Sequence, residues 1–218
     1  MAAGCNFSTC TDKMRVLELF SGTGSVTKYC KQRGWECVSV DWDPKSGADH
    51  CCDIMNFEPE GTFDIVWASP DCRIYSVLQH VHLGRKWENV AELNAERRKH
   101  DKYVLRVLEL IARLQPKAWF IENPAFSRIW DIAQLKALPY IMVAYCQFSS
   151  PEEQFQYRKN TRIASNIVLP DKPCTCTHKH KERVWSIHCK KSHRVPQKLL
   201  NYLFTEVLHN NCGLERTQ

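Results

Sequence analysis

Residues Asp64–Cys72, DIVWASPDC, read as a buried strand that stops at a potential nucleophile. Ile65, Val66, Trp67 and Ala68 form a short apolar run suited to a central parallel strand covered on both faces. Pro70 has no amide hydrogen for a sheet ladder and holds Ser69 extended, so the Cys72 thiol is expected just beyond the strand's carboxyl end. Ligands of open α/β sheets bind along that edge. An isolated S-P-x-C is more often a plain loop cysteine, so the rest of the chain must decide its role.

Upstream, Val16, Leu17, Leu19 and Phe20 make a buried first strand that runs into Ser21, Gly22, Thr23, Gly24 and Ser25. Val26 to Arg33 then reads as a helix with Gly34 at its C-cap, and Cys37 to Val40 as a second strand ending in Asp41, Trp42, Asp43 and Pro44. Strand, glycine turn, helix, strand and acid form the nucleotide-binding half of a doubly wound fold. Asp41 lies 19 residues after Gly22, close to the roughly 20 expected before a carboxylate that accepts from ribose hydroxyls. The turn lacks the third glycine of G-x-G-x-x-G, which favours a ligand smaller than a pyrophosphate. The helix N-terminus would favour a carboxylate on that ligand. Asp53 closes an extended segment, His50 to Ile54, as a third acid at the strand ends; a solvated turn aspartate is the equal alternative.

Downstream, residues 73–94 carry Tyr75, His80, His82, Arg85, Lys86 and Trp87 without apolar periodicity and read as a mobile loop over the site. Ala95 to Leu114 is a long amphipathic helix whose Arg97, Arg98, Lys99 and Lys102 read as a solvated face. Ala118 to Ile121 is another buried strand, and it delivers Glu122, Asn123 and Pro124 to the same edge as Cys72. A carboxylate placed there is costly to bury without a partner or a task. A helix around Ser127 to Ala137, a strand from Tyr140 to Cys146, a strand from Ile163 to Val168 and a final helix from Pro196 to Leu208 complete the alternation. The last helix is expected to pack near the first. The fold class expected is α/β, a doubly wound and mostly parallel sheet with a small Cys/His-rich flap. Residues 1–13 form a loose leader, 14–169 the catalytic and cofactor-binding domain, 170–194 the flap and 195–218 the returning helix.

The 218 residues suit one domain with a sizeable core. A formal net charge of +6, with nine histidines that can add to it, favours an anionic partner. No apolar run is long enough to span a bilayer, and the N-terminus lacks a signal-peptide pattern. The 12 cysteines are therefore read as reduced and the protein as intracellular, nuclear or cytoplasmic. Within the flap, Cys174, Cys176, His178 and His180 could hold zinc, but C-x-C and H-x-H depart from the usual ligand spacings, so sequence alone favours a basic flap without metal.

The ordered set of motifs resembles the DNA cytosine-5 methyltransferases, particularly the short stand-alone forms of phages and large DNA viruses. ELFSGTGS resembles the family's first motif, which cradles S-adenosylmethionine. ASPDCRIYS resembles the nucleophile loop, WFIENP the Glu-Asn motif that holds cytosine, and QYRKNTR the arginine motif beside the target base. The resemblance spans most of Val16 to Asn166 and implies a Rossmann-like, class I methyltransferase fold. It further implies that Phe20 packs on the adenine, that Gly22, Gly24 and Pro70 adjoin the cofactor, that Asp41 takes the ribose hydroxyls and that Trp42 and Asp53 contact the adenine. Cys72 becomes the catalytic thiol, Glu122 the proton donor at cytosine nitrogen 3, and Arg158 and Arg162 the catalytic-motif arginines.

The implied activity is methyl transfer to carbon 5 of cytosine in DNA, with the base flipped from the stack and held covalently on Cys72. Two features are particular to this chain. Asp71 stands where the family carries proline, and an anion beside the thiol disfavours the thiolate, so either Asp71 turns away, a cation such as Arg73 pairs with it, or the rate is low. Only roughly fifty residues follow the arginine motif, so a short sequence preference or a partner that supplies it is expected. Two other classes fit the same fold. One is an amino-group methyltransferase acting on cytosine N4 or adenine N6, and the other a catalytically silent nucleic-acid-binding module. RNA as the substrate also stays open, because phosphate contacts do not identify the sugar.

Overall fold

The structure is a computed structural model, and it describes residues 13–149, 157–177, 180 and 194–211. The expected leader, 1–13, lies outside these apart from Lys13, as does most of the flap. The chain runs β1 (Arg15–Leu19), α1 (Ser25–Gln32), β2 (Glu36–Asp41), β3 (His50–Cys51), β4 (Ile65–Ala68), α2 (Val90–Leu114), β5 (Ala118–Pro124), α3 (Ala133–Lys136), β6 (Tyr140–Ala144), β7 (Asn160–Ser165) and α4 (Gln197–Asn211). The strands form one seven-stranded sheet in the order β3-β2-β1-β4-β5-β7-β6. All pairings are parallel except those of β7, which runs antiparallel to both β5 and β6.

Period-two alternation splits each central strand between two cores. Val16, Ile65, Trp67 and Phe120 face a layer made by α1 and α4, through Val26, Tyr29, Leu199, Leu203 and Phe204. Leu17, Leu19, Val66, Ala68 and Ile121 face α2 and the segment after β5, through Val104, Val107, Leu110 and Ile129. Phe204 is the hinge of the first core, within ring-contact distance of Tyr29, Trp35, Trp67 and Phe120. Removing so large a buried aromatic costs about 3–5 kcal/mol in comparable cores. The expected contact between first and last helices is thus present, reinforced where Arg33 donates to Asn201.

Strand order reverses between β1 and β4, whose chain continues outward in opposite directions. That reversal opens a crevice at their carboxyl ends, the usual ligand position of such sheets. The antiparallel β7 has a further consequence. Because Thr161 pairs with Pro124 and Asn160 with Ala144, the residues just before β7 arrive at the edge where the parallel strands finish.

Several local expectations are corrected. The segment after Cys72 is not a structureless loop: a 3-10 turn spans Val77–His82, Tyr75 and Trp87 are buried, and α2 starts at Val90 under an Asn89 cap. The basic start of α2 is not wholly solvated either. Arg97 is buried and donates to the carbonyls of Ile74 and Ser76, which clamps the stretch that follows Cys72. Tyr75 adds a second tie through its hydroxyl to Asp101. The helix expected over 127–137 is instead a 3-10 turn, Arg128–Asp131, and the four-residue α3. β7 starts at Asn160 and ends at Ser165, earlier than the apolar run alone suggests.

Candidate active site

Two cavities open side by side at the carboxyl edge, and Phe20, Pro70 and Asp71 line both. The larger, about 420 Å³, also takes Asp41, Trp42, Asp53 and Tyr103 into its wall. That volume falls in the range of small-molecule sites, about 300–1,000 Å³. Five of the seven residues expected to hold a cofactor therefore meet here. Gly22 lines the smaller cavity instead, and Gly24 lines neither.

Phe20 leaves β1 with φ 58°, a left-handed conformation that is uncommon for a non-glycine residue and that turns the chain sharply into Ser21. Gly22 and Gly24 continue with φ 50° and 64°, and an added Cβ at either would touch nothing closer than 3.9 Å, so the glycines answer to backbone conformation rather than crowding. Asp41 receives the amide hydrogens of Gly22 and Asp43 on its two oxygens, each at 2.8 Å, which fixes the carboxylate across the glycine turn. Asp53 accepts from Met55 N as the cap of a 3-10 turn and also reaches the cavity wall. Trp42 stands 65 % exposed at the rim, with its ring available to cover a planar ligand.

Two first-turn amides of α1, a turn expected to greet a ligand carboxylate, are already used. Glu18, buried beneath the turn, accepts from Val26 N, Thr27 N and the Thr27 hydroxyl. Burial pushes its carboxyl upward, against the pull of those three donors. Ser21 offers the alternative polar group: its hydroxyl is buried, lines the smaller cavity and has no hydrogen-bond partner among the described residues. A buried hydroxyl in that state points to a ligand group that completes it. The donor set, the fixed Asp41 carboxylate, the orphaned Ser21 hydroxyl and the exposed indole together fit S-adenosylmethionine.

The smaller cavity, about 100 Å³, is lined by both Cys72 and Glu122, with Ser69, Asn123 and Lys159. Neighbouring elements fix the thiol's loop on both sides. Asn123 donates to the Pro70 carbonyl at 2.8 Å, Trp67 Nε1 to the Ser69 hydroxyl at 2.9 Å, and beyond the cysteine Arg97 and Tyr75 hold the chain against α2. Burial pushes the Cys72 thiol up to about 11; the Lys159 cation pulls it down, and the Glu122 and Asp71 carboxylates add to the rise in that order. Asp71 pairs with Arg73 at 2.6 Å, which selects one of the three alternatives the sequence left open.

Glu122 is buried at the end of β5 and receives the Tyr145 hydroxyl at 3.0 Å and the Lys159 ammonium at 3.2 Å, both on Oε1. Lys159 itself is largely buried and lies over the Tyr145 ring. Of the three cations in QYRKNTR, Lys159 is the one that reaches the site. Arg158 is turned to Asn160, and Arg162 stacks between Trp130 and Tyr140 on the opposite face of the sheet from Glu122; neither lines either of these two cavities. Alternation along β7, once its start at Asn160 is known, would have separated Arg162 from Glu122.

Among the described residues eight cysteines are free thiols, and no helix is long and apolar enough to cross a membrane. Cys146, Cys174, Cys176 and His180 cluster beside β6, whereas His178 lies outside the described residues.

No family model matches the sequence. The chain is 37 % identical over 161 residues to a probable DNA (cytosine-5)-methyltransferase of frog virus 3 (isolate Goorha), and the match covers 71 % of each chain. Among solved structures it is similar to a DNA modification methyltransferase encoded within an E. coli prophage (TM-score 0.49, 14 % identity, 70 % of this chain) and to the S. pombe Dnmt2 methyltransferase (TM-score 0.42, 15 % identity, 72 %). It spans about half the length of those two, 46 % and 52 % respectively. Because that viral relative is 37 % identical and the match covers 71 % of its length, the chain belongs to the DNA (cytosine-5)-methyltransferase family.

Proposed function

We propose that the protein transfers a methyl group from S-adenosylmethionine to carbon 5 of cytosine in DNA, with Cys72 as nucleophile. One observation carries this reading: the Cys72 thiol and the Glu122 carboxyl group line one cavity, and that cavity shares a wall with the pocket of Phe20, Asp41 and Trp42. Methyl donor and acceptor ring would then meet across Pro70 and Asp71. When bound, S-adenosylmethionine supplies an electrophilic methyl group on a sulfonium.

Carbon 5 of cytosine is a weak nucleophile, so Cys72 first adds to carbon 6, forming a carbon–sulfur bond and pushing electron density toward carbon 5 and the ring's nitrogen 3. Glu122 gives nitrogen 3 the proton that offsets this charge. Carbon 5 takes the methyl group, a solvent water takes the carbon 5 proton, the electrons of that carbon–hydrogen bond expel the Cys72 thiolate, and nitrogen 3 returns its proton to Glu122. Lys159 and Tyr145 hold the Glu122 carboxyl in place, and Lys159 also favours the thiolate that starts and ends the sequence. A duplex base reaches this half-buried thiol only by leaving the stack. Arg158, exposed just before β7, would hold backbone phosphate.

Duplex DNA carrying 5-fluorocytosine tests the mechanism, since fluorine at carbon 5 blocks the final elimination. A covalent complex dependent on S-adenosylmethionine and absent in Cys72→Ala is expected, and 5-methylcytosine should be the methylated nucleoside from ordinary DNA. Methylation at an exocyclic amine, or turnover without any trapped complex, would overturn the assignment. The same assay with a single-stranded RNA of matched sequence distinguishes the sugar.

A further inference from the structure

Cys146 follows β6 in the 3-10 turn Tyr145–Phe148, and Cys174, Cys176 and His180 come from the chain beyond β7. The backbone brings these distant segments together. Lys172 donates to the Met142 carbonyl and accepts from Ala144 N, each at 2.8 Å, so residues 171–173 lie along β6 and run toward the turn. The four side chains then place their sulfur and ring-nitrogen atoms within 4.8 Å of one another.

We propose that Cys146, Cys174, Cys176 and His180 bind one zinc ion as a structural clip between the turn after β6 and the chain beyond β7. Three thiolates and one imidazole make a closed tetrahedral shell, which leaves no position for water and so suits structure rather than catalysis. Two sulfurs on such an ion, each about 2.3 Å from it, are about 3.8 Å apart, so the donors need to contract by no more than about 1 Å. Cys174 Sγ and His180 Nε2 are already at 3.3 Å. Gln147 supplies a second layer: its amide nitrogen lies 3.7 Å from Cys176 Sγ, and its carbonyl oxygen accepts from the Thr175 hydroxyl at 3.1 Å. Such N–H groups offset thiolate charge and orient the ligands.

The set explains why sequence spacing was uninformative. Cys174-x-Cys176 supplies only half a site, and its third sulfur comes from far upstream, at the end of what reads as an ordinary core strand. His178 is not needed, because four donors are complete without it. The clip also lies one residue from Tyr145, whose hydroxyl holds Glu122, so the ion would stabilise the turn that supports the smaller cavity. A segment that buries little apolar surface gains most from such a staple.

The full chain, purified from zinc-supplemented cells without chelator, should contain one zinc per molecule by inductively coupled plasma mass spectrometry. Cobalt(II) exchanged into the site should give a thiolate-to-cobalt charge-transfer band and the visible bands of a tetrahedral ion. Cys146→Ser and Cys174→Ser should each lose the metal, whereas His178→Ala and Cys51→Ser, on the far edge of the sheet, should keep it. Stripping zinc from the unaltered protein should lower its thermal midpoint, and adding zinc back should restore it. A folded, unaltered chain that holds no zinc and gives no tetrahedral cobalt spectrum would overturn the proposal. So would full zinc content in Cys146→Ser.

Discussion

The two cavities share Phe20, Pro70 and Asp71, yet they are prepared to very different degrees. In the larger, Asp41 is already fixed by two backbone amides and Trp42 stands open at the rim, so a ligand would meet a formed site. In the smaller, Cys72 is held as a thiol by burial, and Glu122 is engaged by Lys159 and Tyr145. The contrast follows from physical needs. A cofactor site gains affinity from preorganisation, because little ordering is left to do on binding. A thiolate exposed at all times would be open to oxidation and alkylation, whereas one that forms only as the base enters is protected.

The largest expected effect separates the cavities outright. Cys72→Ala should reduce methyl transfer by about 10⁴-fold or more, in line with loss of a covalent nucleophile. Its affinity for S-adenosylmethionine should be unchanged, as measured by calorimetry. Transfer within tenfold of the unaltered protein would end the distinction between a binding cavity and a reacting one.

Asp41→Ala is the converse. It removes the acceptor for Gly22 N and Asp43 N as well as for the ribose, and a lost hydrogen bond to a charged group costs about 1.5–3 kcal/mol. Cofactor dissociation constants should rise about 10–100-fold by calorimetry, while iodoacetamide alkylation of Cys72 keeps its rate. Unaltered cofactor affinity would remove Asp41 from the ribose site.

The pH profile of that alkylation sharpens the comparison further. With the thiol raised to about 11, the thiolate fraction in the free protein should climb about tenfold per pH unit from pH 7 and level off near pH 11. Lys159→Met removes the cation that most lowers the thiol among the described residues, so the profile should shift to higher pH and alkylation at pH 9 should slow by about 3–10-fold. Mass spectrometry of the Cys72 peptide gives the rates. A plateau near pH 8 would show a thiol already activated, and the two cavities would then be equally prepared.

The larger cavity was the more legible of the two in sequence, again for a physical reason. Several of its residues follow the ends of parallel strands, so the apolar runs ending near Phe20, Asp41 and Ala68 placed them at one edge by local pattern, and the family resemblance implied their contacts to the cofactor. The smaller cavity depends on β7, an antiparallel strand inserted between β5 and β6, which no local pattern announces. Lys159 reaches Glu122 only because β7 starts at the carboxyl edge; from QYRKNTR by itself the flanking arginines drew attention instead. Arg97 was hidden for a related reason. A cation in a basic stretch reads as solvated until its guanidinium is seen capping the carbonyls of Ile74 and Ser76. Cys146 looked like a core cysteine because its companions lie far downstream.

The smallest expected effect belongs to the residue that looks most disruptive in sequence. Asp71 adjoins Cys72 and would disfavour a thiolate, but Arg73 engages both of its oxygens, at 3.0 and 2.8 Å from Nε. The pair is substantially exposed, where water screens the carboxylate's field, and burial, Lys159 and Glu122 all act on the thiol more strongly than Asp71 does. Asp71→Asn should therefore speed Cys72 alkylation at pH 9 by less than about threefold. Arg73→Ala should slow it to a similar small degree by exposing the thiol to an unpaired charge. Opposite signs of equal size would show that the ion pair nearly cancels at the sulfur. A tenfold gain in Asp71→Asn would instead make that carboxylate, and not the dryness of the cavity, the main brake on the nucleophile.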